Sequence, residues 1–150
     1  MDERFKLFTT LVANVNRSIR RIKTEEMSEF NLKSVHVSCI YYLYREGELT
    51  VSELCEVCEE DKANISRAVE HLEECGYIEK RPKDSKRYKT PLELTESGRK
   101  VGVIISDKID LIIAQASDGV SEQERNILYR SLGIICENLQ NICDHYDTEA

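Results

Sequence analysis

The chain has 150 residues, 33% charged and 41% apolar, enough for one domain with a core that needs no staples and too apolar for a disordered segment. Its formal net charge of −7 argues against a bulk nucleic-acid coat, because such proteins are basic overall, but leaves room for a local basic patch. No run approaches the roughly 20 apolar residues of a membrane span, and the Met-Asp-Glu-Arg start has no basic-then-apolar leader, so a cytoplasmic protein without a membrane partner is expected.

Phe5, Phe8, Val12, Val15, Ile19 and Ile22 follow steps of three and four, a heptad seam that predicts a pairing helix over about 3–24. A second helix is predicted over 33–46, with Cys39, Ile40 and Leu43 inward and Gly47 as its stop. Thr50-Val51-Ser52-Glu53 is a capping box that opens a short helix with Val51, Leu54 and Val57 inward. After a turn at 59–61, Asp61 or Glu60 caps a helix over about 62–75, built on Ile65, Val69 and Leu72 and ended by Gly76. Two short helices joined this way are a helix-turn-helix.

Strands are predicted at Tyr77–Arg81 and Lys89–Leu94, the second confined to an edge by Pro91. Between and within them, Lys80–Lys89 holds six basic residues against Asp84, a local charge of +5 that leaves −12 for the rest. A basic hairpin directly after a helix-turn-helix is a winged helix. Thr95 caps a long helix over about 96–117, apolar except for a stripe through Gly102, Ser106, Asp107 and Asp110. Ser121-Glu122-Gln123-Glu124 is another capping box, and the last helix runs to about 143 on Leu128, Leu132, Ile135, Leu139 and Ile142, leaving a frayed polar tail.

The fold class is therefore mainly α: a winged helix-turn-helix with a small β-hairpin wing and long N- and C-terminal dimerisation helices. Residues 1–150 form a single domain, with the DNA-binding core at about 32–95 and dimerisation helices at about 3–24 and 96–143. On the exposed side of the recognition helix stand Lys62, Ala63, Asn64, Ser66 and Arg67. Arg67 suits guanine and Asn64 adenine, or either meets phosphate alone. Lys83, Lys86 and Arg87 of the wing suit phosphates and a narrow minor groove.

Asp61-Lys62-Ala63-Asn64-Ile65-Ser66-Arg67-Ala68-Val69, running through Leu72-Glu73-Glu74-Cys75-Gly76-Tyr77-Ile78, and then Leu94-Thr95-Glu96-Ser97-Gly98, resemble the MarR family of bacterial transcription regulators over nearly the whole chain. In that family the first stretch is the recognition helix entering the wing, and the second is the step into the dimerisation helix. The resemblance implies a homodimer that binds a palindromic operator on double-stranded DNA, as a repressor released by a small aromatic or acidic effector. Asp84-Ser85-Lys86-Arg87 stands where the family has Asp-x-Arg, with the arginine one residue further from Thr95, so Arg87 is the minor-groove candidate and Lys86 its substitute. His36 stands where the family often has Gln. The effector junction would draw on Arg17, Arg20 and Arg21 as cations and on His36, Tyr41 and Tyr42 as an aromatic wall; the competing reading makes the arginines helix caps and the tyrosines core.

Two other functions compete: a winged-helix protein-interaction module without DNA binding, favoured by the acidic net charge, and a thiol-based redox-sensing regulator. Cys55-x-x-Cys58 lacks a second pair for a structural zinc and reads as packed thiols, and Cys136 and Cys143 share one face of the last helix. No metal site or cofactor is expected. Nor is an enzyme, for want of a phosphate loop, a nucleophile–base pair or a paired acid set.

Overall fold

The computed structural model describes residues 3–84 and 86–149, and of Arg87 the backbone alone. Its α-helices are α1 (Glu3–Glu26), α2 (Ser34–Glu46), α3 (Val51–Cys58), α4 (Lys62–Glu74), α5 (Glu96–Ala116) and α6 (Glu122–Glu149), with 3-10 turns at Ser28–Phe30 and Arg87–Lys89. The chain separates into two compact units that divide within α5, between Ile109 and Asp110.

In the first unit α2, α3 and α4 pack on one another and α1 packs on α2. The predicted stripes of α2 and α4 are all buried: Cys39, Ile40 and Leu43 on α2, and Ile65, Val69 and Leu72 on α4. The same core takes in Met27 and Leu32, which flank the Ser28–Phe30 turn, and Ile78, Leu92 and Leu94 from the wing. Helix ends follow the side-chain oxygens. Thr50 Oγ1 accepts from the Glu53 N–H while Glu53 Oε2 accepts from the Thr50 N–H, and Asp61 Oδ1 accepts from the Asn64 N–H at 2.7 Å. Val57, expected inward, is exposed, because α3 buries Val51 and Leu54 and turns Cys55 and Cys58, not Val57, against the core.

Thr95 Oγ1 accepts from the Gly98 N–H and donates to the Gly76 carbonyl at 2.6 Å, pinning the start of α5 to the end of α4. A β-carbon on Gly98 would stand 2.0 Å from the Tyr77 carbonyl oxygen, so the helix reaches the wing only because this position is glycine. Gly102, read as part of a polar stripe, is instead buried against the Tyr44 ring.

Among the described residues the expected hairpin strands are joined by one isolated antiparallel bridge, Ile78 with Leu94, and a second bridge pairs Leu92 with Leu49, ahead of α3. The Glu79 N–H donates to the Glu93 carbonyl and the Thr95 N–H to the Tyr77 carbonyl. Beyond them Pro82 and Pro91 have no N–H to extend a ladder, and Arg87–Lys89 curls into a 3-10 turn where the second strand was predicted to begin.

The second unit holds the end of α5, a turn at Gly119 and α6. Ser121 and Glu124 form the expected capping box: the Glu124 N–H donates to Ser121 Oγ at 3.2 Å and the Ser121 N–H to Glu124 Oε2 at 2.8 Å. α6 runs six residues past its predicted end, to Glu149. Gln140 Nε2 donates to Asp144 Oδ1 and Thr148 Oγ1 to the His145 carbonyl, so the polar tail is helical rather than frayed. Among the described residues no helix is long and apolar enough to cross a membrane.

Candidate nucleic-acid interface

Burial of Ile65, Ala68, Val69 and Leu72 fixes which side of α4 faces out. Lys62, Ala63, Arg67 and Glu70 are exposed, and Asn64 and Ser66 half-buried. Asn64 is already engaged: its Nδ2 donates to Glu60 Oε2 at 2.9 Å, and its Oδ1 accepts from an Arg67 guanidinium nitrogen at 3.0 Å. That arrangement braces Arg67 and engages both polar atoms of the Asn64 amide.

The wing stands beside this helix. Lys62 Nζ lies 5.1 Å from the centroid of the exposed Tyr88 ring, a cation–π contact that joins the start of α4 to the turn at Arg87–Lys89. Tyr88 escaped the sequence reading, although an aromatic residue inside a basic run was the available signal. Lys83 and Lys86 are exposed. Asp84 Oδ1 accepts from the Lys86 N–H at 2.8 Å. The Arg87 side chain lies outside the described residues.

One basic residue of the run does not belong to the exposed patch. Arg81 is buried, and its guanidinium donates to Glu73 Oε1 at 2.8 Å while its backbone N–H donates to Glu73 Oε2 at 3.0 Å. Glu73 is therefore paired inside and ties the wing to α4.

The proposed effector residues are not all brought together. Arg20 and Arg21 line an open cleft of about 400 Å3 with Thr24, Lys33 and Ser34, and Arg20 pairs with Glu60 there. Arg17 instead donates to Asn14 Oδ1. Tyr41 and Tyr42 meet edge to face, half-buried, outside the lining of that cleft. His36 stacks on His71 with ring centroids 4.3 Å apart, and its Nδ1 accepts from the Lys33 N–H. Burial first, then His71 and Lys33, lower its pKa to about 4. Among the described residues no group of three His, Cys, Asp or Glu side chains is placed to hold a metal ion.

The comparisons with known proteins agree with this fold. The model of the MarR family matches residues 30–87. A putative MarR family transcriptional regulator from Listeria monocytogenes, solved with a 26mer DNA, is similar at 24% identity and a TM-score of 0.79, over 89% of each chain. A MarR family regulator from Neisseria meningitidis is similar at 19% identity and a TM-score of 0.74, over 97% of this chain and 99% of that one. The HTH-type transcriptional regulator YfiV of Bacillus subtilis is 22% identical over 116 residues, 77% of this chain and 72% of the relative. At such identities the structural likeness is one of fold.

Proposed function

We propose that this chain is a transcriptional regulator of the MarR family, whose model matches residues 30–87, rather than an enzyme, and that it is a homodimer that binds a palindromic operator as a repressor. The observation that carries the DNA reading is the joined surface of Lys62, Arg67 and the exposed wing lysines Lys83 and Lys86, coupled through Tyr88. The start of α4 would enter the major groove, presenting Lys62, Ala63, Asn64, Ser66 and Arg67, with Arg67 suited to guanine and Lys62 to a phosphate. Lys83, Lys86 and Arg87 would follow the backbone into the adjacent minor groove. The DNA complex of the Listeria relative supports this use of the fold.

The dimer reading rests on apolar faces left open. Phe5 and Val15 of α1 are 61% and 57% exposed, and Leu128, Leu139 and Ile142 of α6 are exposed as well. Exposed apolar faces of this kind mark association surfaces. The two recognition helices would then address half-sites about 10 bp apart, on one side of the duplex. The cleft beside Arg20, Arg21 and Lys33 is where a small acid would be held by charge, acting by preferring the dimer that fits DNA poorly.

The test is binding of the full-length protein to the DNA upstream of its own gene across a salt series. A steep fall in affinity with salt is expected, and the slope should drop by about 1 when Lys86 is replaced by Ala. No binding at low salt would overturn the operator reading and leave the protein-interaction module standing. A monomer at micromolar concentration would overturn the dimer.

A further inference from the structure

The turn between α3 and α4 carries a carboxylate that is drawn in rather than left to solvent: the Glu60 side chain is only 12% exposed. Its two oxygens serve different partners. Oε1 accepts from the Arg20 guanidinium of α1, and Oε2 accepts from Asn64 Nδ2 at 2.9 Å. Asn64 Oδ1 in turn accepts from Arg67 Nη2 at 3.0 Å. A continuous line of hydrogen bonds thus runs from α1, through the turn, to an exposed guanidinium on α4.

Chemistry sets the direction of that line. A carboxylate only accepts, so Asn64 turns its NH2 group to Glu60 and leaves its carbonyl oxygen for α4. A guanidinium only donates, so that oxygen is the end of the amide able to hold Arg67. The Asn64 N–H is taken by Asp61 Oδ1 at 2.7 Å, which fixes the backbone from which this side chain springs. Without Glu60 the amide is free to flip and to offer Arg67 its NH2 group, donor against donor. With Glu60 in place, Arg67 uses one nitrogen on Asn64 and keeps the rest of its donor fork for a guanine edge. An arginine held in this way has less rotamer freedom to give up on binding.

We propose that Glu60 is a positioning residue for sequence recognition: through the Asn64 amide it holds Arg67 ready for a base edge, and Arg20 of α1 holds Glu60 in turn. The proposal rests on the DNA reading above and adds to it a residue outside the recognition helix that makes no base contact of its own. An Arg67 released from Asn64 would fall back on phosphates, and phosphate contacts carry no sequence information. Glu60 is also a negative charge beside the DNA-facing helix, so its removal favours binding to any duplex while it weakens the choice among duplexes. Overall affinity and sequence preference therefore move in opposite directions, which a simple loss of folding cannot produce.

The test uses the full-length protein and, as probe, a pool of duplexes with a randomised central region, whose bound fraction is sequenced. Arg67→Ala should lower the preference at one base pair of each half-site by about tenfold. Glu60→Ala and Asn64→Ala should each weaken the preference at that same base pair several-fold, and the double variant should be no worse than either. Glu60→Gln, which keeps an acceptor for Asn64 Nδ2, should retain most of it. Binding of Glu60→Ala to the unselected pool should be as tight as the wild type's or tighter. If Glu60→Ala does not fold, Glu60→Met, which keeps the length without the acceptor, takes its place, and the Asn64→Ala profile decides between the same outcomes. A preference unchanged by the loss of Glu60, or a loss spread evenly over all base pairs, would overturn the proposal. So would Asn64→Ala acting at a different base pair from Arg67→Ala, since Asn64 would then read a base itself. A wild type that binds no duplex at low salt would remove the operator reading and this proposal with it, whereas the other failures leave that reading intact.

Discussion

Helix α2 buries Val37, Cys39, Ile40 and Leu43, whereas α1 and α6, about twice its length and with apolar stripes as regular, bury no residue at all. The stripe tells that a helix has a face to cover; it does not tell what covers it. In α2 the cover lies within the chain, on α1, α3 and α4. Helix α1 meets α2 along part of its length; for the faces of α1 and α6 that stay open, a second copy would be the cover in the homodimer proposed above. Substitutions in the two kinds of helix should therefore fail in different ways.

The largest effect is expected inside the first unit, at the one buried ion pair described there. Glu73→Ala would leave the buried Arg81 guanidinium without its carboxylate, at a cost of about 3–5 kcal/mol. Urea unfolding should show that loss at any protein concentration. A loss below about 1 kcal/mol would mean that water replaces the carboxylate and that the pair does not brace the wing.

Next come two substitutions of similar chemistry on opposite sides of the comparison. Ile40→Ala, at a fully buried position, should cost about 2–5 kcal/mol independently of concentration. Leu139→Ala, at a position 52% exposed in the single chain, should leave the α2–α4 unit intact and weaken association, so that its melting temperature depends more steeply on concentration than the wild type's. Equal, concentration-independent losses in both variants would show that α6 is covered within its own chain. Val15→Asp on α1 sharpens the same contrast, since it would bury an unpaired charge only when the dimer forms. Sedimentation should then report a folded monomer.

Helix starts were legible in the sequence because a capping side chain sits at a fixed spacing from the amide it serves, as Thr50, Asp61 and Ser121 do. The inward stripes of α2 and α4 were legible for the same reason: periodicity is local. What escaped depends on distance along the chain. Nothing local marks Met27 and Leu32 as core, since the turn between them ends on Asn31 in a left-handed conformation with no side-chain cap. A charge sum over Lys80–Lys89 counted Arg81 with the exposed lysines, although Glu73 holds it inside. Tyr88 over Lys62 and His36 over His71 are pairings across 26 and 35 residues. The wing was legible as a place but not as strands, because two prolines limit what the alternation of Leu92 and Leu94 can pair with.

The smallest effect tests how tightly α2 and α4 are joined at their histidines. His36 has its pKa lowered from 6.5 to about 4 by burial, by His71 and by Lys33. In the unfolded chain it titrates near 6.5, so between these values the unfolded state binds the extra proton. Stability from this ring is therefore complete above about pH 6.5 and is lost as the pH falls toward 4. The ring is only half-buried, so screening holds the loss to about 1–2 kcal/mol rather than the full value of the shift. Carboxylates titrate in the lower part of the same window, which makes the difference between wild type and His36→Gln the quantity to measure. Gln keeps an acceptor for the Lys33 N–H and removes the titration. Unfolding free energies of the two proteins should diverge in the wild type's disfavour from pH 6.5 down to 4. Parallel curves would mean that the two rings separate as soon as one is charged, and that the stack does not hold α2 against α4.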